Sequence, residues 1–83
     1  MPIEVQAAVE IARFLAGSPS PEEIVAFHPS PETTERFYAL IEAERDGTIT
    51  TDEKAELDRD IHLEYMMGLI KTEARSRLVQ QAS

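Results

Sequence analysis

Eighty-three residues, 42% of them hydrophobic and 29% charged, suffice for one small core near the lower limit of what folds alone, and they exclude a second. The lack of cysteine excludes disulfides, thiolate zinc sites and thiol nucleophiles, so self-association or partner binding is the remaining way to gain buried area. Sixteen acidic against eight basic residues, a net charge of −8, repel nucleic acid over most of the surface and argue against a phosphate-tracking role.

The patterning predicts an all-α chain, a small bundle in a single helical domain over 1–83. Period-two alternation of β-branched residues is missing, and prolines interrupt the stretch from 19 to 31. A first helix is predicted over about Pro2 to Ala16, with Val5, Ala8, Val9, Ala12 and Leu15 on one stripe and Ile11 and Phe14 widening it. Gly17 follows as its left-handed terminal residue. Ser20, Pro21 and Glu23 then form a capping box with proline at the first helical position, which starts a short helix to about Phe27. His28 ends it, because the residue before a proline is pushed out of the α region.

Ser30 and Pro31 repeat the cap-then-proline device and open a helix to about Arg45, with Phe37, Leu40 and Ile41 on its apolar stripe. After a turn at Gly47, Thr50 and Glu53 form another capping box, and a long helix should run from 51 to about Val79. These two helices make a long α-hairpin, about 31–45 and 51–79. On the second, Leu57, Ile61 and Tyr65 form one row; Leu63, Met66, Met67, Ile70, Ala74 and Leu78 form another. Nearly every residue between Leu63 and Ile70 is apolar, so more than one face must be covered there, and a second copy of the chain is one candidate to cover the other. The longest apolar run, Met66 to Ile70, is five residues and is far too short for a membrane span. Met1-Pro2-Ile3-Glu4 lacks the basic region of a secretory signal, so a cytoplasmic location is expected.

One motif has two readings. From Glu42 to Glu53 the sequence overlays the twelve-residue EF-hand loop, with Glu42, Glu44, Asp46 and Glu53 at positions 1, 3, 5 and 12 and Gly47 at position 6. Asp46, the Thr48 carbonyl, Thr50 through water and bidentate Glu53 could supply oxygens to calcium. However, Glu at positions 1 and 3 pushes its carboxylate into space the ion should occupy. A helical hairpin alone explains Gly47, Ile49, Thr50 and Glu53. Only the acids at 42, 44 and 46 are left for a metal to explain, so no cofactor is expected.

The remaining candidates are weaker. His62 sits one turn from Asp58, but no further His and no Cys supplies a third ligand at matching spacing. Serines 18, 20 and 30 lie in cap or proline contexts that already explain them, and nothing argues for an enzyme. Residues 1 to 70 hold fifteen acids and five bases, whereas 71 to 83 hold Lys71, Arg75 and Arg77 against Glu73. That basic end would serve a DNA-binding dimer, or simply suit a helix C-terminus.

The run Pro21-Glu22-Glu23-Ile24-Val25-Ala26-Phe27-His28-Pro29-Ser30, followed by Gly47-Thr48-Ile49-Thr50, Glu56-Leu57-Asp58, Leu63-Glu64 and Lys71-x-x-Ala74-Arg75, resembles a group of short, all-helical, mostly uncharacterised bacterial proteins common in cyanobacteria. The resemblance covers about residues 18 to 78. It implies an antitoxin-like partner encoded beside small nuclease genes, a protein that binds and neutralises a toxin. Typical relatives lack the acids matching Glu44 and Asp46.

The expectation is therefore a non-catalytic protein-interaction module, an acidic antitoxin or inhibitor whose carboxylates meet a basic partner protein. Tyr65, Met66, Met67, Leu69 and Ile70 would supply its apolar anchor. Homodimerisation through the same stretch is an equal structural possibility. A single EF-hand-like calcium-binding protein and a small DNA-binding regulatory dimer are the alternatives.

Overall fold

The computed structural model describes residues 6–82, and among them it contains four helices and no strand: α1 (Gln6–Ala16), α2 (Pro21–Val25), α3 (Pro31–Asp46) and α4 (Thr51–Ala82). The all-α class and the long hairpin of α3 and α4 are those the patterning predicts; the expected helical start at 2–5 lies outside the described residues. Local chemistry sets most boundaries. At α2 the Glu23 N–H donates to the Ser20 hydroxyl at 3.2 Å and the Ser20 N–H to the Glu23 carboxylate at 3.0 Å. The same reciprocal pair joins Thr50 and Glu53 before α4, at 2.9 and 3.1 Å, so the orphan amides of both helix starts have partners. Gly47, at φ 75°, ends α3. The Thr48 N–H reaches back to the Ala43 carbonyl and the Gly47 N–H to that of Glu44, a pairing that needs a left-handed residue at 47.

Two boundaries differ from expectation. Gly17 is not left-handed; the residue with positive φ after α1 is Ser18, at 53°. The Gly17 and Ser18 amides donate to the Phe14 and Leu15 carbonyls in a tightened last turn, which moves the reversal one residue on. Helix α2 stops at Val25 instead of reaching Phe27. The Phe27 ring stacks on Phe14 with centroids 4.5 Å apart, and its carbonyl accepts from Lys71 Nζ at 2.8 Å. The Phe27 amide donates to the Ile24 carbonyl at 3.1 Å, so the helix closes in a tightened last turn just before the His28-Pro29 break.

Helix α4 is the spine. Helix α3 packs along its N-terminal half, α2 along its C-terminal half, and α1 makes a smaller contact. Leu40 and Leu57 meet in the hairpin, each 1% exposed, and Met67 and Ala74 continue the buried line along α4. Two polar clusters fix how the pieces cross. The Arg36 guanidinium donates twice to the buried Glu56 carboxylate, both bonds at 2.9 Å, joining α3 to α4. The Glu10 carboxylate on α1 accepts from the Ser30 N–H, the Ser30 hydroxyl and the Thr33 hydroxyl at 2.7–2.8 Å, joining α1 to the start of α3.

The result is elongated. Its principal extents are 51 × 25 × 18 Å and its radius of gyration is 14.9 Å, against about 12 Å for a compact chain of this length. The long axis is α4 itself, whose 32 residues span about 48 Å at the usual rise. The accessible surface, 5853 Å² for 9.3 kDa, exceeds the roughly 5000 Å² expected of a monomer of that mass. Among the described residues, no helix is long and apolar enough to cross a membrane.

Candidate interaction surface

One face of α4 is covered by the rest of the chain and the other is not. Residues Glu56, Met67 and Ala74, with half-buried Leu63 and Ile70, turn toward α2 and α3. On the far side Ile61, Tyr65 and Leu69 follow one another at intervals of four, with Met66 beside them; their exposures are 47, 67, 46 and 52%. Exposed Thr72, Ser76 and Val79 continue the row. Spacing of three and four residues places Ile61, Tyr65, Leu69, Thr72, Ser76 and Val79 on one side of the helix, and Met66, three residues before Leu69, sits at the edge of that face. Large apolar side chains left in water on consecutive turns form a contiguous patch of the kind that marks an interaction site, unlike the scattered apolar residues normal to any surface.

The five residues expected to anchor a partner divide. Tyr65, Met66 and Leu69 point outward. Met67 is buried at 7% exposure and belongs to the core, and Ile70 is half-buried beside Pro21 and Ile24 of α2. Ile61, expected on one row with Leu57 and Tyr65, is exposed like Tyr65, whereas Leu57 is buried. The reason is geometric. A row of i, i+4 residues drifts round the helix by about 40° at each step, so it turns from buried Leu57 to the solvent side by Ile61 and Tyr65. The signal for Ile61 was present in its spacing to Tyr65 and Leu69, which continues the exposed row.

The surface beside this patch is acidic. Asp58 and Glu64 lie along α4, and Asp60, half-buried, lines a cleft of about 440 Å³ with Phe27, Phe37, Leu63 and Met67. Burial pushes the Asp60 pKa up and the neighbouring Glu56 charge adds to this, against the opposing pull of Arg59 and Arg36. Lys71 is committed inside the fold through the Phe27 carbonyl, which removes one of the three cations that the DNA-binding alternative relied on.

The residues from Glu42 to Glu53 do not wrap around a common point. Helix α3 runs through Asp46, so the positions that would be 1, 3 and 5 of a calcium loop are helical, and only 47–50 are left as a connection. Glu42 pairs with Arg45 at 2.9 Å. Glu44 pairs with Lys54, which also holds Asp58 at 3.1 Å. Glu53 is occupied by the Thr50 N–H, and the Thr48 hydroxyl leans toward the Ala43 carbonyl at 3.4 Å. A calcium loop needs its ligands from positions 1 to 12 converging on one ion; continuous helix through position 5 points successive side chains about 100° apart instead. Among the described residues no three His, Asp or Glu side chains are grouped to hold a metal ion. Of the acids before Gly47, Glu42 pairs along α3 and Glu44 pairs across the hairpin. His62 is exposed, and the Asp58 carboxylate one turn away accepts from Lys54. No protein-family model, curated protein or solved structure matches the chain.

Proposed function

We propose that this chain is a non-catalytic protein-interaction module, an acidic inhibitor of the antitoxin type that works in the cytoplasm and engages a basic protein. The observation that carries the reading is the row Ile61, Tyr65, Met66 and Leu69, left in water on one face of the longest helix of a thinly buried fold. Such a row supplies the apolar centre of an interface, and the flanking carboxylates Asp58, Glu64 and Glu73 supply a rim that selects a cationic partner and speeds the encounter.

The test is a photo-crosslinking amino acid placed at Met66, with the exposed position Glu32 on α3 as control, in cells that carry the native chain. Position 66 should give a covalent protein adduct, and Glu32 should not. A basic partner in that adduct should be lost when the lysate is raised to about 0.5 M salt before irradiation, because rim attraction is screened within a few ångströms there. Equal adducts from both positions, or none from Met66, would sink the proposal.

A further inference from the structure

We infer that the exposed face of α4 is covered by a second copy of the same chain, packed antiparallel across Gly68. The inference rests only on that face being a docking surface, as proposed above, and gives its apolar row to a second copy of the chain in place of a basic protein. Three independent features point to self-pairing.

The first is charge. Along α4 the exposed charges before Gly68 are Asp52, Lys54, Asp58, Arg59 and Glu64, and those after it are Glu73, Arg75 and Arg77, whereas Glu56 and Lys71 are committed inside the fold. A parallel pair would set acid beside acid. An antiparallel pair centred near Gly68 sets Glu64 within a turn of the second copy's Arg75 and His62 beside its Glu73. Such complementarity fixes orientation as well as attraction. The face is then isologous, as a two-fold dimer requires.

The second feature is Gly68. Glycine inside a helix costs about 1 kcal/mol relative to alanine, and the fold of one copy gives no reason for it: a Cβ at Gly68 would have nothing within 4 Å. The residue is exposed and lies beside Tyr65, Leu69 and Thr72 on the open face. A missing side chain there, where the open face meets the cleft, lets a second backbone come close, so that Tyr65 of the other helix seats over the gap.

The third is area. The chain exposes 5853 Å², roughly 900 Å² more than its mass predicts. That excess is close to the ~800 Å² that each partner buries in a standard interface.

The experiment is sedimentation of the full chain combined with single-cysteine pairing, which is unambiguous because the chain has no cysteine of its own. The wild type should sediment as a dimer, and Leu69→Asp should weaken self-association by more than tenfold. Gly68→Leu should weaken it similarly while raising the helix content of the monomer, an opposite pair of signs that loss of folding cannot produce. Asp58→Cys and Ser76→Cys should each fail to form a disulfide-linked dimer alone and form one when mixed. A chain that stays monomeric up to about 1 mM overturns the inference, as do single-variant disulfides at Asp58→Cys, which report a parallel pair. The Met66 crosslink separates the two levels. An adduct of twice the chain mass supports self-pairing, whereas an adduct only with a different, basic protein overturns it and leaves the interaction module standing.

Discussion

The carboxylate of Glu10 shows how one side chain can define the placement of a whole helix. It accepts from the Ser30 amide, the Thr33 hydroxyl and the Ser30 hydroxyl. Burial pushes its pKa up, but these three donors outweigh burial and hold it below its ordinary 4.5. A depressed carboxylate stabilises the fold above its unfolded pKa, and that contribution disappears as pH falls through the folded value. Glu10→Gln should therefore cost about 1–2 kcal/mol at neutral pH. The gap between variant and wild type should close below pH 4.5, which urea titrations at pH 7 and about pH 3 would read. A gap unchanged by acid would mean that the charge contributes nothing. The Arg36–Glu56 pair makes the complementary case. Glu56 has only 6% of its side-chain surface in water, and Arg36 has 36%. Removing the cation leaves a buried anion, so Arg36→Ala should lose about 3 kcal/mol. Adding Glu56→Met to Arg36→Ala should recover most of that, because an apolar side chain of similar volume needs no partner. A double variant no more stable than the single would show that the pair contributes more than mutual neutralisation.

At the scale of elements, the helix boundaries follow turn chemistry, and the two left-handed residues test it in opposite directions. Gly47→Ala meets no steric obstacle at φ 75°, so its loss should be the backbone term alone, about 1 kcal/mol. Ser18, at φ 53°, already bears that strain, and Ser18→Gly should gain up to about 1 kcal/mol. Thermal unfolding of both variants would check the signs; destabilisation by Ser18→Gly would mean that its side chain is held by something stronger than strain. The starts of α2, α3 and α4 were legible because Ser-Pro and Thr-x-x-Glu act within four residues. The ties of Glu10 to Ser30 and Thr33, and of Arg36 to Glu56, span twenty or more positions and depend on crossing angles that no local pattern encodes. For the same reason the row Leu57, Ile61 and Tyr65 does not show where along it burial ends. The heptad-like spacing fixes which residues share a face, but where α3 ceases to cover that face depends on its own length and tilt. Met67 and Met66 are adjacent in sequence and opposite in fate, which only the position of α2 and α3 decides.

The whole molecule is a 51 Å rod with a thin core and a net charge of −8, and its stability should respond to salt accordingly. Among the described residues only Leu40 and Leu57 of the large side chains are fully buried, so the favourable burial term is small and modest electrostatic terms weigh more than they would in a larger domain. The carboxylates Glu42, Glu44, Asp46, Asp52, Glu53 and Asp58 crowd the hairpin end. The few exposed pairs there, such as Arg45 with Glu42 and Lys54 with Asp58, contribute little each in water. Raising ionic strength from about 10 mM to about 0.3 M shortens the screening length from ~30 Å to well under 10 Å. It therefore removes repulsion acting across the whole end while sacrificing only those weak pairs. The melting temperature should rise with sodium chloride, by a few degrees. The rise should be smaller in a Glu44→Gln, Asp46→Asn variant, whose end carries two fewer negative charges. A fall with salt would show that the paired carboxylates outweigh the unpaired field, and that the acidity of this chain serves its fold more than its partners.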